Sequence, residues 1–383
     1  MKTACMVAAC ILLNSSLVPA ASGVEVRHSD QADFAVAYKL NPAHTGSITL
    51  STGFPVPLRQ LWTRDIVYSV GNPMIADDSI FFRAGVKYLF SLKLSSGNRN
   101  WVKTMATDIG EIAYDNGKLF GVTDDANLTG FAAASGKALW STPLPDEWDF
   151  YVPPIAVNGQ VFVTGAGHGG QLYAVDQTDG TLQWEAPIEA PQGSPAYGDK
   201  GVYILNNCNY YKFRPVNGSV IWHQHTGNES GGGLATPVYF RHRLFVEDDD
   251  VCGGDTVRDS RTGEQVGTFF DFSRPMTVFS DSKGRDLAVG LTETNTGWEL
   301  WCWKARGGAL LWTFKGDTQL QGETIVVNGT IFIGSGSGML YALDERGKKI
   351  WSAQTASAVT RLAAGLGTLV VVGGSTVTAF APQ

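Results

Sequence analysis

Short runs of β-forming residues, separated by glycine-containing turns, recur along most of the chain. Residues 321–351 show one such unit, with strand-like runs at 324–327, 330–334, 340–344 and 349–352. Asn328-Gly329 joins the first two runs, and this dipeptide favours the positive φ angles of a tight β-hairpin. Because short runs bounded by turn residues predict strands, each unit predicts one four-stranded antiparallel sheet.

A glycine followed four positions later by a tryptophan marks the end of most units. Six copies are present: Gly97/Trp101, Gly136/Trp140, Gly180/Trp184, Gly218/Trp222, Gly308/Trp312 and Gly347/Trp351. Trp62 opens the series without its glycine, and Gly263 begins a degenerate copy that ends on Gly267. The intervals are 38 to 45 residues, a period typical of β-propeller blades. We expect each indole to pack against the next blade.

The number of blades follows from the two ends of this series. Seven intervals separate Trp62 from Trp351, and three strand-like runs follow the last tryptophan. Residues 57–62 form a single run before the first interval. Pairing this run with the last three gives an eighth blade and leaves no exposed sheet edge at the closure. The sequence therefore predicts an all-β fold, an eight-bladed propeller of four-stranded antiparallel blades over residues 57–383.

The first twenty residues have the features of an export signal. Lys2 precedes an apolar run at 5–13, and Val18-Pro19-Ala20 supplies small residues of the kind that a signal peptidase recognises. A lipid anchor at Cys10 is disfavoured, because the apolar run continues beyond that cysteine. We therefore expect residues 1–20 to be a signal peptide, residues 21–56 an N-terminal arm, and the mature protein to be periplasmic or secreted.

Charge and apolar content argue against two classes of partner. The formal net charge of −7 disfavours a nucleic-acid binder, which is normally basic. Outside the signal, no apolar stretch approaches the roughly 20 residues that a membrane-spanning helix needs. We expect a monomer that binds a protein partner or a small ligand.

Three cysteines remain once the signal is removed. Cys208 and Cys252 follow the second strands of consecutive blades, and such positions could approach within disulfide distance. Cys302 takes the place of a small buried residue on a third strand, so we expect a core thiol. The cysteine spacing does not suit zinc.

Several predicted loops of unusual length fall on one face of the propeller, and such a face is free to acquire function. We expect the ligand or partner to bind there through Trp148, Asp149, Tyr151, His168, His223, His225 and Trp298. Trp148 and Tyr151 could instead be a lid packed on the blade. The three histidines could chelate a metal or could be exposed loop residues, and Asp248, Asp249 and Asp250 could hold calcium or form a solvated acidic tip.

A second candidate site lies on the propeller axis. Aligning the first strands of the eight blades places one residue of each at the same level: Asn72, Glu111, Pro153, Ser194, Thr236, Arg274, Glu323 and Arg361. First strands line the axis of a propeller, so the charged members Glu111, Arg274, Glu323 and Arg361 could form an ion-pair girdle or an anion-binding throat.

The repeat resembles that of a known family. Residues 174–184 read Ala-Val-Asp-Gln-Thr-Asp-Gly-Thr-Leu-Gln-Trp. They are similar to the repeat of pyrroloquinoline-quinone (PQQ)-type propellers, Ala-x-Asp-x-x-Thr-Gly-x-x-x-Trp, with Asp179 in place of the threonine. The resemblance covers about residues 57–381 and implies the propeller fold. The family contains quinoprotein dehydrogenases with PQQ and calcium, and cofactor-free members such as the propeller lipoprotein of the barrel-assembly machinery.

The resemblance favours the cofactor-free members. Quinoprotein alcohol dehydrogenases carry adjacent cysteines and long insertions, whereas no two cysteines adjoin here and the repeat intervals are short. We find no nucleophile–base motif, and a fold alone does not imply an activity. We therefore expect an exported, non-catalytic binding or scaffold protein without a cofactor. The alternatives are a PQQ-dependent oxidoreductase with calcium and an exported carbohydrate-active propeller.

Overall fold

The structure is a computed structural model that describes residues 33–150, 152–189, 193–206, 208–227, 236–247, 254–268 and 276–383. The predicted signal peptide and residues 21–32 of the predicted arm lie outside these ranges. The described residues form eight sheets, one per blade, and each blade has four antiparallel strands, which we call A to D from the axis outward. No helix among the described residues is long and apolar enough to cross a bilayer.

The first four blades follow one another along the chain. Blade 1 consists of Met74–Ala76, Ser79–Ala84, Tyr88–Lys93 and Arg99–Thr104. Blade 2 consists of Ile109–Asp115, Lys118–Thr123, Asn127–Ala132 and Ala138–Pro143. Blade 3 consists of Ile155–Val157, Gln160–Gly165, Gln171–Asp176 and Leu182–Pro187. Blade 4 consists of Ala196–Gly198, Gly201–Asn206, Asn209–Phe213 and Val220–His225.

The next three blades repeat the order, with longer strands in blades 6 and 7. Blade 5 consists of Val238–Phe240, Arg243–Val246, Thr256–Asp259 and Gln265–Thr268. Blade 6 consists of Thr277–Ser280, Asp286–Thr294, Gly297–Lys304 and Leu310–Phe314. Blade 7 consists of Leu320–Val327, Thr330–Ser335, Met339–Leu343 and Lys349–Gln354.

Blade 8 closes the ring with strands from both ends of the propeller. Strands A to C are Arg361–Gly365, Thr368–Gly373 and Thr376–Pro382, and strand D is Leu58–Asp65. Strand D pairs antiparallel with strand C in a register that sets Trp62 opposite Ala379. The predicted eight-bladed fold, with its mixed last blade, is confirmed.

Alternation of strand direction gives the propeller two unlike faces. The A–B and C–D connections lie on one face, which we call the turn face, and the B–C and D–A connections lie on the other, which we call the loop face. In most blades the A–B connection is a two-residue turn such as Asn158-Gly159, where both residues have positive φ. The loop face therefore carries most of the variation in length.

The tryptophans of the repeat join most blades to the next. The indole Nε1–H of six of them donates to a backbone carbonyl of the following blade: Trp62 to Leu94, Trp101 to Ala133, Trp140 to Gln177, Trp184 to Pro215, Trp222 to Ser260 and Trp312 to Glu345, at 2.7–3.2 Å. The indole ring covers the glycine of that blade's C–D turn. A Cβ on Gly263 would lie 2.6 Å from Trp222 Cε3, so only glycine fits under the ring.

Blade 5 lacks this contact because Gly267 stands where the tryptophan would be. A Cβ on Gly308 of blade 6 would meet the Thr268 carbonyl oxygen at 3.3 Å rather than an indole. Among the described residues, the junction between blades 5 and 6 is therefore held by strand packing without an indole of this series.

Apolar side chains between neighbouring blades form the core. In one cluster, Phe120 and Val122 of blade 2 pack against Val161, Val163 and Tyr173 of blade 3. Strands B and C are buried on both sides, whereas strand D alternates between exposed and partly buried residues. Each blade thus depends on both neighbours to bury its apolar surface. Such burial stabilises the fold by about 25 cal/mol per Å².

The N-terminal arm, described from residue 33, crosses the propeller axis near the turn face. A 3-10 turn at Tyr38–Leu40 and a two-residue strand at Ser47–Ile48 are its regular elements. Ser47–Ile48 pairs in parallel with strand A of blade 7 as a fifth strand.

Two polar side chains of the arm are fully buried on the axis. Lys39 Nζ donates to Thr277 Oγ1 at 3.0 Å and to the Thr324 carbonyl oxygen at 3.4 Å. His44 Nδ1 lies 3.3 Å from the carbonyl oxygen of Pro237, and its Nε2 lies 3.4 Å from Ser194 Oγ. Burial lowers the pKa of His44 to about 3.

Because His44 stays neutral in the fold, acid should destabilise the protein through this residue. The unfolded chain binds a proton below pH 6.5 and the folded chain does not, so stability is lost as the pH falls from about 6.5 towards about 3. The His44 contribution should be about 2 kcal/mol at pH 5. We expect His44→Gln to flatten the fall of the unfolding free energy between pH 7 and 5, measured by urea titration. Val216→Ser, at a 79% exposed residue that does not titrate, should keep the wild-type slope; equal slopes for the two variants would contradict the assignment.

The junction tryptophans should dominate stability. Trp222 is only 9% exposed, so Trp222→Ala should cost about 3–5 kcal/mol of unfolding free energy. Trp222→Phe keeps part of the aromatic ring but loses the hydrogen bond to Ser260. The lost bond should lower the unfolding free energy by about 1 kcal/mol, and the smaller ring should lower it further. Chemical denaturation measures both. The exposed Trp148→Ala should change stability by less than about 0.5 kcal/mol, and a loss at Trp222 of similar size would contradict this account.

Candidate functional site

The loop face carries an exposed aromatic pair on blade 3. Trp148 lies in the connection between blades 2 and 3, and His168 lies in the B–C connection of blade 3. Their rings meet edge to face with centroids 4.2 Å apart. Trp148 is 56% exposed, an unusual state for so large an apolar side chain. The predicted partner residues Trp148 and His168 thus lie together.

A buried carboxylate holds this pair in place. Glu147 Oε2 accepts the His168 backbone N–H at 2.8 Å, and Oε1 accepts that of Gly170 at 2.7 Å. His168 Nδ1 lies 2.8 Å from the carbonyl oxygen of Asp146, so the ring is tied to the same loop. The two connections are therefore cross-linked by hydrogen bonds, and the indole is presented on a preorganised loop.

The rest of the loop packs down on the blade. Asp149 forms a β-bridge with Ala166, and Phe150 is buried against Tyr173, with ring centroids 6.2 Å apart. The Tyr173 hydroxyl donates to the Pro145 carbonyl oxygen. Phe150, rather than Trp148, therefore supplies the lid, while the predicted contact residue Tyr151 lies outside the described residues.

His223 and His225 lie in strand D of blade 4, not in a loop. Asn209 Oδ1 contacts His223 Nε2 at 2.7 Å and His225 Nδ1 at 3.1 Å, so the two rings share one side of the strand. His223 stacks on Tyr211 at 4.2 Å, and burial lowers its pKa.

The structure does not bring His168 to these two residues, because its ring contacts Trp148 and Asp146. No group of three histidine, cysteine, aspartate or glutamate side chains in the described ranges is arranged to hold a metal ion.

The predicted loop that carries Trp298 is a β-hairpin. Strands B and C of blade 6 extend to Thr294 and from Gly297, so only Asn295 and Thr296 form the turn. Trp298 lies opposite Glu293 in this hairpin and is partly buried against the apolar core. It is therefore less available to a partner than Trp148.

The remaining loop residues fall outside or at the edge of the described ranges. Asp248, Asp249, Asp250 and Cys252 are not described. Cys208 is disulfide-bonded, and its pairing with Cys252 stays a prediction because its partner lies outside the described residues. Cys302 is a free, buried thiol whose pKa burial raises to about 12.

On the axis, the aligned first-strand positions of neighbouring blades form hydrogen bonds. The Asn72 N–H donates to Glu111 Oε2 at 3.0 Å, and Arg361 Nε donates to Asn72 Oδ1 at 3.1 Å. Ser194 Oγ donates to the Pro153 carbonyl oxygen at 2.6 Å, while the Ser194 N–H donates to Thr236 Oγ1 at 3.1 Å. These positions thus face one another around the channel; Arg274 is not described.

The charges of this ring have partners that the sequence did not indicate. Arg83, on strand B of blade 1, forms an ion pair with Glu111 at 2.8 Å. Glu323 accepts a hydrogen bond from Tyr38 and interacts with Lys39 of the arm and with Arg361. Burial raises the pKa of Glu323 and lowers that of Lys39. An aligned repeat cannot show such partners, because they come from other strands and from the arm.

Fold and loop face together define a PQQ-type β-propeller that presents an exposed aromatic site on hydrogen-bonded loops. A family model described as "Outer membrane protein assembly factor BamB" matches residues 102–252 and 299–383. The match covers more than half of the chain, and the chain belongs to this family.

Individual relatives are distant. A curated protein, outer membrane protein assembly factor BamB of Francisella tularensis subsp. tularensis, is 28% identical over 133 residues, which are 35% of this chain and 28% of that protein. The chain thus matches less than a third of that relative's length.

Two solved structures illustrate the shared fold. BamB from Moraxella catarrhalis has a TM-score of 0.66 at 17% identity, covering 85% of this chain and 100% of that one. Quinohemoprotein alcohol dehydrogenase from Comamonas testosteroni has a TM-score of 0.75 at 13% identity, covering 93% and 81%. At these identities the likeness concerns the fold alone.

The Glu147 contacts give a test of the site's architecture. Glu147→Gln replaces one acceptor oxygen by an amide donor facing a backbone N–H, so it should cost about 1–3 kcal/mol. We expect hydrogen exchange of the His168 and Gly170 amides to accelerate at least tenfold. Amides in strand A of blade 3 should be unaffected. Unchanged protection at His168 and Gly170 would show that Glu147 does not hold the loop.

Proposed function

We propose that the protein is an exported, non-catalytic scaffold of the periplasm that takes part in the assembly of outer-membrane proteins and binds a protein partner through Trp148 and His168. The observation that carries the proposal is membership of the family described as an outer membrane protein assembly factor. The signal-like residues 1–20 support export.

The geometry around Trp148 supports a protein-binding role for the loop face. Tryptophans that anchor protein interfaces are rigid, large and surrounded by groups that exclude water once the partner is bound. Here the indole is exposed before binding and its loop is already held by Glu147. Little conformational entropy is then lost on association, which favours affinity.

Charges around the indole indicate the chemistry of the partner. Asp146 and Asp149 flank Trp148 in the chain. Burial raises the pKa of Asp149, and the nearby carboxylate of Asp124 in blade 2 raises it further. A partner surface with an apolar pocket rimmed by lysine or arginine would complement this patch.

The donor set on the axis does not fit PQQ with calcium. Calcium takes six to eight oxygen ligands, whereas Glu111 is paired with Arg83, and Glu323 is engaged by Tyr38, Lys39 and Arg361. The arm also fills the axis with buried Lys39 and His44. We therefore favour a binding role for this propeller over quinone-dependent oxidation.

Mutation of the exposed indole tests the proposal. The mature protein, immobilised and exposed to envelope extract of its native host, should retain components of the outer-membrane assembly machinery, identified by mass spectrometry. Trp148→Ala should reduce the retained amount at least tenfold, with an unchanged melting temperature. The matched control is Val216→Ser, which alters a 79% exposed apolar residue on the turn face.

Two results would overturn the proposal. One is equal retention by wild type and Trp148→Ala, which removes the loop face as the binding surface. The other is a cytoplasmic location of the full-length chain on fractionation, with residues 1–20 still attached.

A further inference from the structure

The backbone of the arm forms hydrogen bonds with the inner strands of the ring, except those of one blade. Backbone N–H groups of strand A donate to arm carbonyls in six blades: Ile75 to Ala35, Tyr114 to Val36, Tyr197 to Pro42, Tyr239 to Ala43, Val278 to Thr45 and Val326 to Gly46, at 2.8–2.9 Å. Blade 8 is reached through Leu366, which donates to Asp33 at 2.9 Å. Among the described residues, no such bond joins the arm to blade 3.

Ala156 is the blade 3 residue in the equivalent position. It lies opposite Val161 in the A–B hairpin, as Tyr197 lies opposite Val202 in blade 4 and Ile75 opposite Ile80 in blade 1. In those blades the residue at this position turns its N–H away from strand B and towards the arm. The Ala156 N–H therefore also points away from its own sheet, and in the described part of the chain it has no backbone acceptor.

A cavity of about 470 Å³ lies at this position, open to the turn face. Its walls come from the arm, including Val36, Leu40 and Ile48, from Ala156 and Val157 of blade 3, and from Asp115 of blade 2. The lining is mainly apolar, so the cavity suits an apolar side chain next to a backbone hydrogen-bonding edge.

The course that the arm takes past this cavity requires strained backbone conformations. Lys39, Leu40 and His44 have φ angles of 54°, 75° and 57°, in the left-handed region that residues other than glycine avoid. Lys39 and Leu40 lie between Val36, which pairs with blade 2, and Pro42, which pairs with blade 4. His44 lies further along the arm, between the residues that pair with blades 5 and 6. Strain of this kind persists where the surrounding structure imposes it, and it often marks functional positions.

We propose that the cavity at blade 3 binds an extended segment of a partner polypeptide, which pairs with strand A through the Ala156 N–H and places an apolar side chain against Val36 and Leu40. The molecule already shows this mode of binding, because Ser47–Ile48 of the arm adds a strand to blade 7 in the same way. Main-chain hydrogen bonds give such strand addition its affinity, and side-chain pockets give its specificity. The site lies on the turn face and is independent of the proposed Trp148 site.

A peptide copied from the arm is the probe. We would titrate the hexapeptide Thr-Gly-Ser-Ile-Thr-Leu, which is residues 45–50 with blocked termini, into the mature protein labelled with ¹⁵N-alanine. We expect the Ala156 amide resonance to move downfield and its hydrogen exchange to slow at least tenfold. The same peptide methylated at its backbone nitrogens cannot add as a strand and should leave both unchanged.

A proline at the edge separates pairing from simple filling of the cavity. Ala156→Pro removes an N–H that the blade's own ladder does not use, and proline is tolerated at such edges. The variant should fold as wild type and bind the peptide at least tenfold more weakly. Should it not fold, the methylated peptide still tests the proposal on the wild-type protein.

Three results would overturn it: no change at Ala156 with millimolar peptide, equal binding of the methylated peptide, or undiminished binding by folded Ala156→Pro. None of these results bears on the loop face, since Trp148→Ala should bind the hexapeptide as the wild type does.

Discussion

The contact between the tryptophan of one blade and the glycine turn of the next is the interaction on which the ring depends. A four-stranded blade has two apolar faces and cannot bury both alone. The indole covers part of this surface and donates its N–H to a carbonyl of the neighbour, as Trp222 does to Ser260. A ring must bring each blade to one spacing and tilt, and a rigid aromatic with one directed hydrogen bond fixes both. The glycine is required because any Cβ would occupy the place of the ring, as at Gly263.

The arm gives the axis a second set of constraints. Burying an ammonium group costs several kcal/mol unless it is paired, and Lys39 lies among hydrogen-bond acceptors and the Glu323 carboxylate. This cost is offset only when blades 6 and 7 stand in their final places around it. The arm therefore favours the closed ring through polar contacts, whereas the tryptophans favour it through packing.

The two faces of the propeller differ because their connections differ. Most A–B turns are limited to two residues by hairpin geometry, so the turn face is nearly uniform and its main irregular feature is the path of the arm. The loop face is free of this limit, and there the chain has placed Trp148 and His168 over a buried carboxylate. The two proposed sites thus use different physical means, an aromatic anchor on one face and an unpaired strand edge on the other.

The sequence by itself determined the strands, the period and the closure, because these depend on local patterns. An Asn-Gly pair such as Asn328-Gly329 favours a tight turn, and a tryptophan such as Trp351 marks the end of a unit. It also predicted that Trp148 and His168 lie on the loop face. It did not show that His223 and His225 belong to a strand, since a polar outer strand resembles a loop. Only the tertiary structure decided that Arg83 pairs with Glu111 and that the arm bypasses Ala156. Those contacts join residues far apart in the chain, and their energies depend on distances that no local pattern contains.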